Sequence, residues 1–301
     1  MTQSFEQTAT TAAAEFRWRE YLELTKPKVV GLIVFTAIVG MFLATPAMVP
    51  INALLWGTIG IGLSAASGAA FNHIVDYRID ALMARTQNRP LPTGSLNMRN
   101  ATVFASLLSV VSVAMLWIGV NALTAVLTFL SMVGYSVVYT VYLKRNTPQN
   151  IVIGGAAGAM PPVLGWTAVT GTVDPHALLL FVIIFVWTPP HFWALAIHRA
   201  DDYARAEIPM LPVTHGVAYT KLHVWLYTLL LAVCTLLPYL TQMSGLLYLL
   251  AIVPLNGLFL RHAWRLHQRN DPRQPMRTFS YSIWYLTGIF AALLLDHYFT
   301  I

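Results

Sequence analysis

The sequence is poor in charge and almost free of cysteine. Of its 301 residues only 10% are Asp, Glu, Lys or Arg, whereas 57% are hydrophobic, and the mean hydropathy is +0.62. Soluble domains carry about a quarter charged residues, so this composition excludes an ordinary soluble protein and predicts an integral membrane protein. Cys234 is the single cysteine, which excludes intrachain disulfides and multi-cysteine metal sites. The net charge of +6 comes from basic residues between apolar runs, which indicates membrane orientation and no nucleic-acid partner.

The N-terminal segment also lacks the features of a targeting signal. Residues 1–27 have neither the basic, apolar and small-residue order of a secretory signal nor the acid-poor composition of a transit peptide. We expect a cytoplasmic tail here, with a short amphipathic helix near 14–24 on the membrane surface. Residues 28–301 then form a single transmembrane domain, because a helical bundle in lipid uses the whole chain as one unit.

Long apolar runs recur along the rest of the chain. A span of the hydrocarbon core needs about 20 apolar residues, and nine runs approach or reach that length. They cover 28–45, 51–71, 100–118, 121–143, 149–170, 177–198, 219–239, 245–262 and 279–297. With nine spans, all 18 Lys and Arg residues fall in or beside the loops of one side. The positive-inside rule therefore predicts nine transmembrane helices with the N-terminus in the cytoplasm and the C-terminus outside.

Glycine and proline are concentrated in particular spans. Glycines cluster in the second and fifth spans, which favours close helix packing in lipid. Double prolines interrupt the fifth span at 160–162 and the sixth at 188–190. Because proline removes a backbone donor, we expect both helices to break beside a wide internal pocket.

Acidic side chains follow the second span at a helical spacing. Asn72, Asp76 and Asp80 stand at i, i+4 and i+8, so a helix presents them on nearly one face. Charges at the end of a span are expensive unless they serve a site. Carboxylate and amide oxygens suit Mg²⁺, which commonly bridges carboxylates to substrate phosphates. An alternative is a helix cap in which these acids pair with Arg78 or Arg85.

A second acidic pair follows the sixth span. Asp201 and Asp202 lie on the same predicted membrane side, and we interpret Asp202 as the opposing metal ligand, although such a pair is also common in a solvated turn. Cationic side chains occupy the same side and are candidates for gripping phosphate oxygens, or act only as orientation signals. These candidates are Lys26, Arg85, Arg89, Lys144 and Arg199.

Imidazole and aromatic groups lie deeper in the spans. His191 follows the second double proline and precedes Phe192 and Trp193. We assign His73, Tyr139, His191 and Trp193 to a pocket for the rest of the substrates, where aromatic faces can stabilise a cation. Buried packing and interfacial anchoring are the ordinary alternatives for such residues.

These motifs resemble the UbiA superfamily of membrane prenyltransferases. The superfamily motif N-x3-D-x3-D-x2-M-x-R-T-x2-R is matched in full from Asn72 to Arg89. Other segments resemble the superfamily's haem-farnesylating branch. They are 24–28, 139–145, 150–155, 165–166, 187–193 and 202–212. The second motif departs from D-x3-D, because Ala206 stands four residues after Asp202, and the shortened form is similar to that branch.

The resemblance implies a transferase that moves farnesyl from farnesyl diphosphate to a vinyl group of haem B, giving haem O and diphosphate with Mg²⁺ as cofactor. It implies a UbiA-type helical bundle in a bacterial inner membrane, an active site facing the cytoplasm, and haem A synthase or terminal oxidase assembly as partners. Aromatic quinone precursors or chlorins are alternative acceptors, because the first motif reads only the donor. A secondary transporter is a further alternative, but its charges would lie near the bilayer midplane.

Overall fold

The structure is a computed structural model and describes residues 18–299. The predicted tail at 1–17 lies outside the described residues. From Trp18 onward the predicted surface helix is present as α1, Trp18–Leu24. Over the described range the chain is helical and contains no strand, as the composition predicts.

Twelve helices or helical spans follow one another between residues 18 and 299. They are α1 (Trp18–Leu24), α2 (Pro27–Leu43), α3 (Ala53–Leu82), α4 (Met98–Gly119), α5 (Ala122–Asn146), α6 (Asn150–Thr170), α7 (Pro175–His198), α8 (Ala200–Arg205), α9 (Leu211–Thr214), α10 (Gly216–Leu240), α11 (Leu246–Gln268) and α12 (Gln274–Tyr298). Eight of these are long and apolar enough to cross a membrane, and a ninth span results if α1 and α2 are counted together. The nine predicted spans correspond in order to α2–α7 and α10–α12.

The first span begins at a sharp turn. The axes of α1 and α2 differ by 54°, and Lys26, at the turn, has a left-handed backbone with φ of 49°. Pro27 follows, and a residue before proline is disfavoured in the right-handed helical region. The chain therefore leaves the surface helix at Lys26 and restarts as a span with proline at its first position, where the missing N–H costs no helical hydrogen bond.

Glycines allow the spans to pack closely, as the sequence predicts. Side chains added at Gly165 of α6 or Gly40 of α2 would overlap the backbone of Ala37 and Pro162 respectively. The backbones of α2 and α6 thus meet without side chains between them, which is how small residues hold helices together in lipid. Further neighbouring pairs are α3 with α4, α7 with α10, and α11 with α12.

The double prolines act differently in the two spans that carry them. In α6 the helix is interrupted at Met160, between Asn150–Ala159 and Pro161–Thr170. The expected break in α7 is wrong, because this helix continues through Pro189 and Pro190. Its surroundings hold it on both sides: the Thr188 hydroxyl donates to its own helix at 2.8 Å and the Trp187 indole donates to α12 at 2.8 Å. The bond to α12 therefore fixes α7 directly beside its two prolines.

Candidate active site

The three oxygen-bearing side chains of α3 share one buried face. Helix α3 continues well past the predicted end of its span, through Leu82, so Asn72, Asp76 and Asp80 all stand on regular helix. Each is at most 6% exposed. The Asn72 amide nitrogen donates to Asp76 Oδ2 at 2.8 Å and to Thr140 Oγ1 at 3.3 Å. The predicted placement of these three side chains on one helix face is therefore confirmed.

Basic side chains from three other segments converge on this face. Lys144 Nζ lies 2.5 Å from Asp76 Oδ2, and Arg89 Nη1 lies 2.7 Å from Asp80 Oδ2. Lys26, at the turn before α2, donates to the Asn72 side-chain oxygen. The alternative in which Arg78 or Arg85 caps these acids is not seen, because Asp76 pairs with Lys144, 68 residues away, and Asp80 pairs with Arg89, nine residues on.

The charge balance at this face favours an anion. Burial, followed by repulsion from Arg89 and Lys144, lowers the pKa of Lys26 to about 7, and attraction to Asp80 and Asp76 only partly opposes this. Arg89 and Lys144 each pair with one carboxylate, and Lys26, which contacts the Asn72 amide oxygen, adds part of a positive charge near neutral pH. Arg85 lies nearby, exposed, and forms no ion pair or hydrogen bond within residues 18–299. A bound anion of two or more charges would balance this surplus.

The loop after α3 carries Arg89 to its position. Thr86 is buried, and its hydroxyl donates to the Asp80 carbonyl at 2.9 Å. The Arg89 amide donates to the Thr86 carbonyl at 3.1 Å. The loop later turns at Gly94, whose φ of +73° favours glycine. Thr86 thus positions Arg89, a role that the sequence analysis did not assign although Thr86 belongs to the motif.

Asp202 forms a separate acidic position. It is buried on α8, whereas its neighbour Asp201 is exposed, so the inward member of the pair is the one that the sequence analysis selected. Asp202 pairs with Arg205 and, at 3.5 Å, with Arg199. In the described part of the chain no three His, Cys, Asp or Glu side chains gather into a group able to hold a metal ion. The two motifs therefore present two distinct carboxylate positions.

The four predicted pocket residues divide into two kinds. Trp193 is buried in an apolar cluster, edge-on to Tyr227 at 5.3 Å. His73 is 2% exposed, and neither ring nitrogen has a hydrogen-bond partner among residues 18–299. Tyr139 and His191 are partly exposed. Tyr139 and His191 can therefore contact a ligand without movement of the side chains around them.

Tyr139 stands in an irregular part of α5. The stretch Gly134–Leu143 is a π-helix, a form often found at functional sites. Tyr139 stacks on Tyr135 with ring centroids 5.6 Å apart. On its other side a methyl group added at Gly154 would overlap its ring. Glycine at 154 is thus what admits the Tyr139 ring between α5 and α6.

His191 is held from α12, a span in which the sequence analysis found no site residue. The ring stacks on Trp187 and Phe279, and its Nδ1 lies 2.6 Å from Ser282 Oγ. Phe279 in turn packs against the apolar cluster that contains Trp193. In sequence, Ser280 and Ser282 are polar residues near the start of this span and carry no motif that marks a site.

Curated relatives match this chain along nearly its whole length. A protein of Methylococcus capsulatus named "Protoheme IX farnesyltransferase" is 61% identical over 286 residues, covering 95% of this chain and 96% of its own. A protein of the same name from Hahella chejuensis is 58% identical and covers 96% of both chains.

Solved structures share the fold at low sequence identity. One whose description concerns digeranylgeranylglyceryl phosphate synthase is 18% identical, with a TM-score of 0.78 over 93% of this chain and 98% of its own. A UbiA homologue of Archaeoglobus fulgidus, described as bound to DMAPP and Mg²⁺, is 15% identical with a TM-score of 0.61, covering 91% and 99%. Residues 33–290 match the family described as the UbiA prenyltransferase family. The chain belongs to the UbiA prenyltransferase family.

Proposed function

We propose that this protein transfers the farnesyl group of farnesyl diphosphate to a vinyl group of haem B, producing haem O and diphosphate. The observation that carries this proposal is the 61% identity, over 95% of the chain, to a protein named protoheme IX farnesyltransferase. The α3 face alone supports prenyl transfer in general, because it offers groups for a diphosphate and none that select an acceptor. The protein is accordingly a multi-pass membrane transferase.

The diphosphate is held by the cationic side chains around α3. Arg89 and Lys144 already pair there with Asp80 and Asp76, and Lys26 reaches the Asn72 amide oxygen beside them. Arg85 and Arg199 add two guanidinium groups that can grip phosphate oxygens bidentately. These cations stabilise the negative charge that grows on the leaving group as the C–O bond breaks.

Mg²⁺ fits the acidic residues of the same face. Asp76 Oδ1 is buried and has no hydrogen-bond partner in the described structure, with the Arg145 guanidinium 3.9 Å away, so this oxygen is available to ligate a metal ion. Asn72, Asp76 and Asp80 would hold one position and Asp202 a second. The UbiA homologue of Archaeoglobus fulgidus is described with both DMAPP and Mg²⁺. When bound, the metal neutralises phosphate charge and so lowers the barrier to departure of the diphosphate.

The acceptor lies on the apolar side of this face, near Tyr139, His191, Trp193 and His73. Farnesyl C1 bonds to the terminal vinyl carbon, water adds its hydroxyl to the other vinyl carbon, and one proton is released. An apolar pocket protects the allylic cation from premature hydrolysis, and the Tyr139 ring face can stabilise it. These assignments give the donor and acceptor ends of one reaction.

The basic loops support an orientation in a bacterial inner membrane. Lys and Arg residues flank α3, α5 and α7 on the side of the acidic face, and positive loops face the cytoplasm. The site then opens to the cytoplasm, with the N-terminus in the cytoplasm and the C-terminus outside. Haem O would pass from there to haem A synthase or to assembly of a terminal oxidase.

A reconstituted assay tests this function. Haem B, farnesyl diphosphate and Mg²⁺ are added to purified protein in vesicles. The products are then separated and identified by mass spectrometry. We expect haem O, and none from an Asp76→Asn variant that remains inserted. Parallel samples contain 4-hydroxybenzoate or a chlorin in place of haem B. A prenylated aromatic or chlorin with no haem O would replace the haem proposal by that acceptor class.

A further inference from the structure

The His191 ring is fixed in orientation by two aromatic neighbours. Its centroid lies 4.2 Å from that of Trp187 and 4.5 Å from that of Phe279, with interplanar angles of 18° and 25°. The ring thus lies between Trp187 of its own helix, α7, and Phe279 of α12. Rotation about its χ angles would require both neighbours to move, so its two nitrogens point in set directions.

The hydrogen bonds of Ser282 determine which nitrogen carries the proton. His191 Nδ1 lies 2.6 Å from Ser282 Oγ, and this hydroxyl donates to the Phe279 carbonyl at 2.6 Å. A hydroxyl has a single hydrogen. In the arrangement where that hydrogen goes to the Phe279 carbonyl, the Ser282 oxygen accepts from His191, and Nδ1 is the protonated nitrogen. In the neutral ring, Nε2 then carries the lone pair.

Nε2 is the atom left for a ligand. It forms no hydrogen bond within the described residues, and it is absent from the buried atoms that lack a partner, so it keeps some accessible surface. Ser282 itself is fully buried, and its carbonyl accepts the Trp187 indole N–H at 2.8 Å. The hydroxyl and the carbonyl of this serine are therefore both anchored by α7.

We propose that Ser282 is a positioning residue that holds His191 as the Nδ1–H tautomer, so that Nε2 ligates the iron of the porphyrin acceptor. The inference rests on the proposed function in taking an iron porphyrin as acceptor. A nitrogen lone pair can bind a metal ion. Ionised phosphate oxygens and a prenyl chain carry no N–H or O–H group that could donate to this nitrogen. Histidine ligands of metals usually donate their other N–H to a second group, as His191 does here.

The proposal also accounts for the position of the ring. Phe279, which covers one face of His191, packs against the apolar cluster around Trp193, and Tyr139 packs against that same cluster. Tyr139 is also within electrostatic range of Asp76. Iron ligated at His191 would therefore place the porphyrin beside the aromatic residues that border the diphosphate face.

The test compares haem B with metal-free protoporphyrin IX, each titrated into purified full-length protein in detergent. The ratio of the two dissociation constants isolates the contribution of iron, and binding of the metal-free ring shows that the pocket is folded. We expect wild type to prefer haem by tenfold or more, and His191→Ala to bring the ratio to about one. Ser282→Ala should lose about tenfold of the preference, the lower end for loss of a second-sphere partner, while Ser282→Thr retains it.

Thr287→Ala is the matched control, because this hydroxyl lies on the same helix and donates only to the carbonyl of Ile283 at 3.0 Å. It should leave the ratio unchanged. Imidazole added to His191→Gly should restore the absorption spectrum of ligated haem. Equal ratios in wild type and His191→Ala, or equal effects of Ser282→Ala and Thr287→Ala, would overturn the proposal. If the ratios change as expected but haem O never forms, the iron ligation by His191 is supported and the proposed farnesyl transfer is rejected.

Discussion

Replacing Lys144 by methionine should separate its role in stability from its role in metal binding. Lys144 Nζ lies 2.5 Å from Asp76 Oδ2, and the side chains are only 13% and 1% exposed. Removing one partner of a buried ion pair costs about 3–5 kcal/mol, because the remaining charge loses its compensation. We expect the lower end, about 3 kcal/mol, since the Asn72 amide still donates to the same oxygen at 2.8 Å.

The same substitution should strengthen Mg²⁺ binding in the absence of substrate. In the proposed metal site Lys144 and Mg²⁺ compete for Asp76, so removal of Lys144 would free a carboxylate. We expect at least a tenfold lower dissociation constant for Mg²⁺, equivalent to about 1.4 kcal/mol. Calorimetric titration in detergent measures this binding, and unfolding in a denaturing detergent measures stability. Prenyl transfer should still fall, because the diphosphate loses a cation.

Arg145→Met is the matched control for this prediction. Arg145 follows Lys144 in sequence, but its guanidinium is 3.9 Å from Asp76 Oδ1 and its side chain is 45% exposed. Exposed pairs contribute at most about 1 kcal/mol, so this variant should be nearly as stable as wild type, with unchanged Mg²⁺ affinity. Equal destabilisation of both variants, or Mg²⁺ binding no tighter after loss of Lys144, would refute the competition between lysine and metal.

Three further predictions address the rest of the site. Gly154→Ala should reduce turnover at least tenfold, because its methyl group would overlap the Tyr139 ring. Gly158→Ala should leave turnover unchanged, because no atom lies within 4 Å of the added carbon. Initial rates of haem O formation measure both variants. Asp202→Asn should lower kcat for farnesyl transfer more than tenfold, while Asp201→Asn, at the exposed neighbour, stays within about twofold. Chelation by EDTA should abolish turnover and leave haem affinity unchanged in a spectroscopic titration; retained turnover would exclude a divalent metal.

The spans could be predicted from the sequence because each depends on local composition. All nine predicted runs fall on helices of the structure, since in lipid a long apolar stretch has helix as its natural conformation. What the composition missed was the length of α3, which continues as helix through Asp80. Its last turns are polar because they carry the site, so hydropathy ends before the helix does.

The donor face could be predicted in part for the same reason. Asn72, Asp76 and Asp80 lie within one helix, and helical periodicity alone puts them on one side. Lys26 and Lys144 could be predicted as candidates on the same membrane side, but their contacts with Asn72 and Asp76 could not, because these distant segments meet only on folding. The predicted break in α7 was wrong for a related reason. The Trp187 indole donates to the Ser282 carbonyl of α12, and local sequence does not reveal this long-range contact.

Tyr139 lies between the α3 face assigned to the diphosphate and the aromatic residues assigned to the acceptor. Its ring stacks on Tyr135 and enters the space left by Gly154. It is also within electrostatic range of Asp76 and packs against the cluster that Phe279 joins. An aromatic face attracts a cation without holding water. Because the allylic cation forms where the diphosphate leaves and reacts where the vinyl group lies, a polar residue at this border would admit the water that destroys it.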